Sequence, residues 1–119
     1  MTRASDGVAT SGPGSLFREG HVEVDGFRIR YREAGQGPAL VHLHGAGGLS
    51  LTPAHDLLSR RFRVVAFEMP GFGQSSDNTS TRTVPDLAST MAEAAAGLGL
   101  DTFNLMGTSF GAKTALWLA

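Results

Sequence analysis

Residues 103–111 read Phe103-Asn104-Leu105-Met106-Gly107-Thr108-Ser109-Phe110-Gly111, and the last five have the form G-x-S-x-G. An apolar strand, Phe103–Met106, runs through them into a helical start at Ala112–Ala119. A strand-to-helix turn this sharp exposes one serine and strains its backbone. The residues two positions to either side must then be small, because helix and strand crowd there. Gly107 and Gly111 meet that need. The Oγ of Ser109 would stand at a helix N-terminus, where the dipole and free N–H groups favour a developing anion. Ser109 is therefore the candidate nucleophile. Lys113, the only lysine, follows one helical turn later and is expected to face solvent rather than serve Ser109 as a base.

Two more glycine clusters lie upstream, each at the end of an apolar run. Leu40–His44 is a short strand leading into His44-Gly45-Ala46-Gly47-Gly48. A serine attacking a carbonyl needs two N–H donors aimed at the oxyanion. The residue after the nucleophile, Phe110, offers one, and the loop after the third strand offers the other, here Ala46 or Gly47. Small residues let that backbone approach a substrate closely. His44 is expected to hold its loop by hydrogen bonds. His42 and His44 share a strand face, but no third ligand stands near them in sequence, so no metal site is expected. The other cluster, Glu68-Met69-Pro70-Gly71-Phe72-Gly73-Gln74-Ser75, marks a rigid turn at a strand end. Glu68 is expected to be a hydrogen-bonding anchor there rather than a catalytic acid, with Met69 and Phe72 packing locally or lining a pocket. His21 and His55 have no partner pattern and are read as ordinary structural or surface residues.

The rest of the chain alternates strand and helix. His21–Val24 and Phe27–Glu33 flank Asp25-Gly26, a two-residue hairpin signal. In the second run Phe27, Ile29 and Tyr31 alternate with Arg28, Arg30 and Arg32, which predicts a half-buried strand with a solvated basic face. The segment from Ser50 to Arg61 reads as a helix, with Pro53 in its first turn, Leu57 and Leu58 facing inward, and Arg60 and Arg61 at its negative end. Phe62–Phe67 is an apolar strand, and residues 74–83 are a polar loop. Thr83, Pro85 and Asp86 frame a helix start; Leu87, Met91, Ala94, Ala95 and Leu98 recur at helical spacing; Gly97 and Gly99 end the helix. A hairpin followed by β-α-β-α-β-α predicts an α/β fold, a mostly parallel sheet with helices on both faces. Ligands in such folds sit at the C-terminal ends of the strands. All three glycine clusters fall on that rim.

Composition narrows the function classes. The chain has 119 residues, enough for one domain, with 41% hydrophobic and 18% charged residues. A net charge of −1 offers no footprint for nucleic acid or an anionic membrane, and no run approaches the about 20 apolar residues of a membrane span. With no cysteine, disulfides and thiolate metal sites are excluded. No secretory-type segment opens the chain, so a cytoplasmic location is expected. Residues 1–15, MTRASDGVATSGPGS, read as a flexible tail ahead of a domain over 16–119. No G-x-G-x-x-G stands in a dinucleotide-binding context, so no cofactor is expected. A small-molecule substrate is the expected partner, and the sequence carries no signal of oligomeric state.

Taken together, LVHLHGAGG, FEMPGFGQS and LMGTSFGA make residues 20–119 resemble the N-terminal half of an α/β-hydrolase fold protein, truncated within the helix after the nucleophile. The resemblance implies a serine hydrolase with nucleophile Ser109 and oxyanion donors Ala46 and Phe110. Serine rather than aspartate at position 109 argues against the dehalogenase and epoxide-hydrolase branches. The family usually has Asp where this chain has Glu68, a position that is normally structural. In this fold the acid and then the histidine follow the nucleophile, and the ten residues after Ser109, FGAKTALWLA, contain neither. The 119 residues alone are therefore expected to be inactive on esters and, with an apolar edge at Phe103–Met106, poorly soluble. Two alternatives remain: a same-fold perhydrolase, lyase or ligand receptor, and a non-catalytic binding fragment.

Overall fold

A computed structural model of the protein describes residues 12–78 and 83–119. Its elements are β1 (Arg18–Val24), β2 (Phe27–Ala34), β3 (Ala39–Leu43), α1 (Pro53–Leu58), β4 (Arg63–Glu68), α2 (Val84–Gly97), β5 (Asn104–Gly107) and α3 (Phe110–Leu118). The five strands form one sheet in the order β1-β2-β4-β3-β5. β3, β4 and β5 run parallel, and β1 and β2 form an antiparallel hairpin joined antiparallel to β4. Asp25 and Gly26 both take positive φ, 49° and 80°, the mirror-image turn whose twist suits a hairpin. This is the α/β architecture expected from the alternation of patterns.

Each face of the sheet has its own apolar layer. Val41 and Leu43 of β3 and Val65 and Phe67 of β4 meet Leu87, Met91, Ala94 and Ala95 of α2 in the larger cluster. Leu40 and Val64, on the other face, meet Phe17 and Ala34, with Leu51 and Leu58 packed against them. α2 begins as its sequence predicts. Thr83 Oγ1 accepts the Asp86 N–H at 3.2 Å, and Pro85 lies in the first turn. It ends in a Schellman turn: Leu100 N–H bonds Ala95 O and Gly99 N–H bonds Ala96 O, with Gly99 at φ +77°.

Three local expectations change. The helix expected from Ser50 to Arg61 is only Pro53–Leu58. Thr52 is the N-cap, and the His55 ring reaches back to accept the Thr52 N–H at 3.0 Å, as Glu or Gln does in a capping box. A helix this short has one inward position per turn. His55 occupies it, buried to 4% exposure, while Leu57 is 58% exposed instead of facing inward. The arginine row is not a uniformly solvated face. Arg28 is exposed, but Arg30 lies between Glu19 at 3.3 Å and Glu68 at 3.1 Å with its side chain 14% exposed. Of the N-terminal segment, residues 1–11 lie outside the described residues. Gly14 is seated on α1, its N–H donating to both Asp56 carboxylate oxygens at 3.0 and 3.1 Å. Among the described residues no helix is long and apolar enough to cross a membrane.

Candidate active site

The three parallel strands end on one rim, and the loops that leave them touch. β5 passes through Thr108 into Ser109, which takes φ 53° and ψ −113°. That conformation is costly for any residue with a Cβ. Both flanking glycines are sterically required. A Cβ on Gly107 would stand 2.6 Å from Ala112 Cα, and one on Gly111 would stand 2.0 Å from Leu43 O and 2.4 Å from His44 O. The start of α3 is thus pressed against the end of β3. Ser109 is exposed at the N-cap of α3, and its side chain makes no capping bond. The N–H groups of Gly111 and Ala112 turn back to Thr108 O and Ser109 O, both at 2.9 Å, whereas the Phe110 N–H meets no acceptor among the described residues.

The loop after β3 closes as a turn, with the Gly48 N–H bonded to Gly45 O at 3.1 Å. Ala46 and Gly47, its two central residues, are exposed, and their N–H groups have no acceptor among the described residues. A Cβ on Gly45 would lie 3.2 Å from Thr108 O and 3.5 Å from Ser109 Cβ. The glycine therefore lets this loop lie directly against the serine turn.

His44 ties the loop to the third rim segment. Its Nε2 accepts the Met69 N–H at 2.9 Å, so a neutral ring carries its proton on Nδ1 and donates it to Gly45 O at 2.7 Å. Its edge meets the ring of Phe72, with centroids 4.6 Å apart. Burial lowers the His44 pKa, against smaller opposing effects from the Gly45 carbonyl and the Glu68 carboxylate. Glu68, 4% exposed, accepts N–H bonds from Gln74 at 2.7 Å and Ser75 at 3.2 Å and pairs with Arg30. Gly73, at φ +48°, leaves room for that carboxylate, since a Cβ there would fall 2.0 Å from Glu68 Oε2. Lys113 is exposed on α3.

His55 shows what the sequence reading missed. Its Nε2 meets His42 Nδ1 at 2.9 Å, and His42 Nε2 reaches Thr108 Oγ1 at 3.2 Å. Burial first, then the neighbouring His55 and His44, lower the His42 pKa to about 4, and burial also lowers that of His55. The available signal was the alternation of β3: a polar His42 in an apolar strand implies a buried hydrogen-bonding partner. Among the described residues no three His, Cys, Asp or Glu gather in a metal-holding arrangement.

A family model described as the alpha/beta hydrolase fold matches residues 38–119. An uncharacterized protein of Mycobacterium tuberculosis is 34% identical over 98 residues, 81% of this chain and 29% of that protein. The dihydrolipoyllysine-residue acetyltransferase component of the acetoin cleaving system of Cupriavidus necator is 33% identical over 105 residues, 82% of this chain and 27% of that protein. Among solved structures, a bacterial membrane phospholipase A superposes with a TM-score of 0.80 at 33% identity, over 86% of this chain and 35% of that one. An epoxide hydrolase of Vigna radiata superposes with a TM-score of 0.80 at 28% identity, over 87% and 34%. The chain thus spans about a third or less of the length of these relatives.

Proposed function

The chain belongs to the alpha/beta hydrolase fold family, and from that premise we propose that it carries the nucleophile and oxyanion donors of a serine hydrolase acting on an ester or a related acyl or activated C–C bond. The observation that carries this reading is the backbone of Ser109 at φ 53°, flanked by two glycines at positions where a Cβ would clash with backbone. Strain of that kind persists only where the surroundings enforce it, and here it lifts one hydroxyl onto the rim.

Ser109 Oγ attacks the carbonyl carbon, and a histidine outside these 119 residues takes its proton. The N–H of Phe110 and that of Ala46, with Gly47 as the alternative donor, hold the resulting oxyanion. Their lack of other acceptors supports that role. The intermediate collapses to an acyl-serine with loss of the leaving group, and water then releases the acid. Lys113, exposed on α3, is not assigned the base. Phospholipase and epoxide hydrolase structures are both similar to this chain. Serine rather than aspartate at position 109 favours acyl chemistry over epoxide opening. The reading includes a small-molecule substrate, no cofactor and a cytoplasmic location.

The test uses the protein that carries this sequence. A fluorophosphonate should label Ser109, and Ser109→Ala should abolish both the label and p-nitrophenyl ester hydrolysis, a loss on the order of 10⁶ in kcat for a triad serine. An unlabelled Ser109 in folded protein would sink the proposal.

A further inference from the structure

We propose that the Thr108 hydroxyl is a substrate-contacting hydrogen-bond donor, set by a buried chain of two histidines, and that it takes a neutral oxygen acceptor, carbonyl or ether, on the substrate. The inference rests on the assignment of Ser109 as nucleophile and adds a specificity residue beside it.

The direction of every proton in the chain follows from one backbone amide. The Thr52 N–H can only donate, and it points at His55 Nδ1 from 3.0 Å. That nitrogen is therefore bare, and a neutral ring carries its hydrogen on Nε2. His55 Nε2–H then donates to His42 Nδ1 at 2.9 Å. His42 in turn carries its hydrogen on Nε2 and donates it to Thr108 Oγ1 at 3.2 Å. The lowered pKa values of both rings agree with the neutral forms this requires. In such a chain each donor polarises the next. At its end the Thr108 oxygen is an acceptor, and its own O–H meets no acceptor among the described residues.

That hydroxyl borders a cavity of about 280 Å³, walled by His42, His55, Thr52, Met106 and Gly45 among others. No Asp, Glu, Lys or Arg lines it, so it suits an uncharged oxygen better than a carboxylate, which would find no cation. Gly45 is the partition between this cavity and the nucleophile. A Cβ there would already be 3.5 Å from Ser109 Cβ. Two apolar residues in place of His42 and His55 could fill this layer without desolvating polar rings. The imidazoles instead lead to one exposed hydroxyl adjoining the proposed nucleophile.

Two fluorophosphonates matched in length, one with a plain alkyl chain and one with ether oxygens, test this on the protein that carries the sequence. The quantity read is the ratio of their Ser109 labelling rates. Thr108→Val should lower the ether-to-alkyl ratio roughly three- to tenfold. Thr108→Ser should keep the ratio, and His42→Leu should lower it as Thr108→Val does. The Thr108 side chain is exposed, so its variants carry the test if His42→Leu does not fold. An unchanged ratio in Thr108→Val, or both probes slowed equally, overturns the inference while leaving the nucleophile intact. No label from either probe on the unsubstituted protein overturns both.

Discussion

Ser109 combines two demands that conflict. Its side chain must be a reactive hydroxyl, and its backbone sits at φ 53° and ψ −113°, a region that only glycine occupies cheaply. Separating them gives a direct test. Ser109→Gly and Ser109→Ala should both lose the fluorophosphonate label. Ser109→Gly should be more stable than Ser109→Ala by about 1 kcal/mol in chemical denaturation, because only glycine relieves the strain. The neighbouring glycines divide by the space around them. Gly111→Ala would drive a methyl group to 2.0 Å from Leu43 O, backbone that cannot yield cheaply, and should cost about 3 kcal/mol. Gly47 meets nothing within 4 Å, so Gly47→Ala should change stability by less than about 0.5 kcal/mol.

Among the elements, those with local signals were legible in the sequence. Asp25-Gly26 specifies its hairpin and Thr83-Pro85-Asp86 starts α2, because each is decided by contacts within a few residues, and G-x-S-x-G marks the serine turn by its spacing of small residues, although Gly111 answers to the distant Leu43 and His44 carbonyls. What escaped depends on residues far apart in the chain. His55 looks like a surface residue until β3 brings His42 to 2.9 Å, and Arg30 looks solvated until β2 pairs with β4 and sets it against Glu68. α1 came out shorter than expected, with His55 and Leu58 facing inward and Leu57 exposed. Glu68 is where this long-range bonding is densest: it accepts two turn amides and pairs with Arg30. Glu68→Ala would leave those amides without their acceptor and Arg30 with only the more exposed Glu19 as a carboxylate partner, and should cost about 3 kcal/mol in denaturant titration. Arg28→Ala, on the exposed position of the same strand, should cost less than about 0.5 kcal/mol.

Across the whole molecule, the sheet separates a mainly apolar layer from a layer that carries histidines. α2 and its neighbours cover the first with Leu87, Met91, Ala94 and Ala95. On the other face, His42 of β3 and His55 of α1 are buried against each other, and His44 is buried at the rim. All three rings hold pKa values below the ordinary 6.5, with His42 at about 4. In the unfolded chain they recover values near 6.5, so between that pH and about 4 the unfolded state binds more protons. Stability from these groups is therefore fully present above pH 6.5 and is lost as pH falls toward 4. Asp56 beside His55 and Glu68 beside His44 oppose the shifts without reversing them. Ordinary carboxylates titrate near 4, so a loss between pH 6.5 and 5 belongs chiefly to the histidines. The denaturation midpoint of the protein should drop measurably from pH 7 to pH 5. His42→Leu should start lower at pH 7, because it leaves the His55 Nε2–H unpaired, yet decline less over the same interval. An equal decline in both proteins would mean that His42 takes up its proton in the folded state as readily as in the unfolded chain, so that burial does not hold its ring neutral as pH falls.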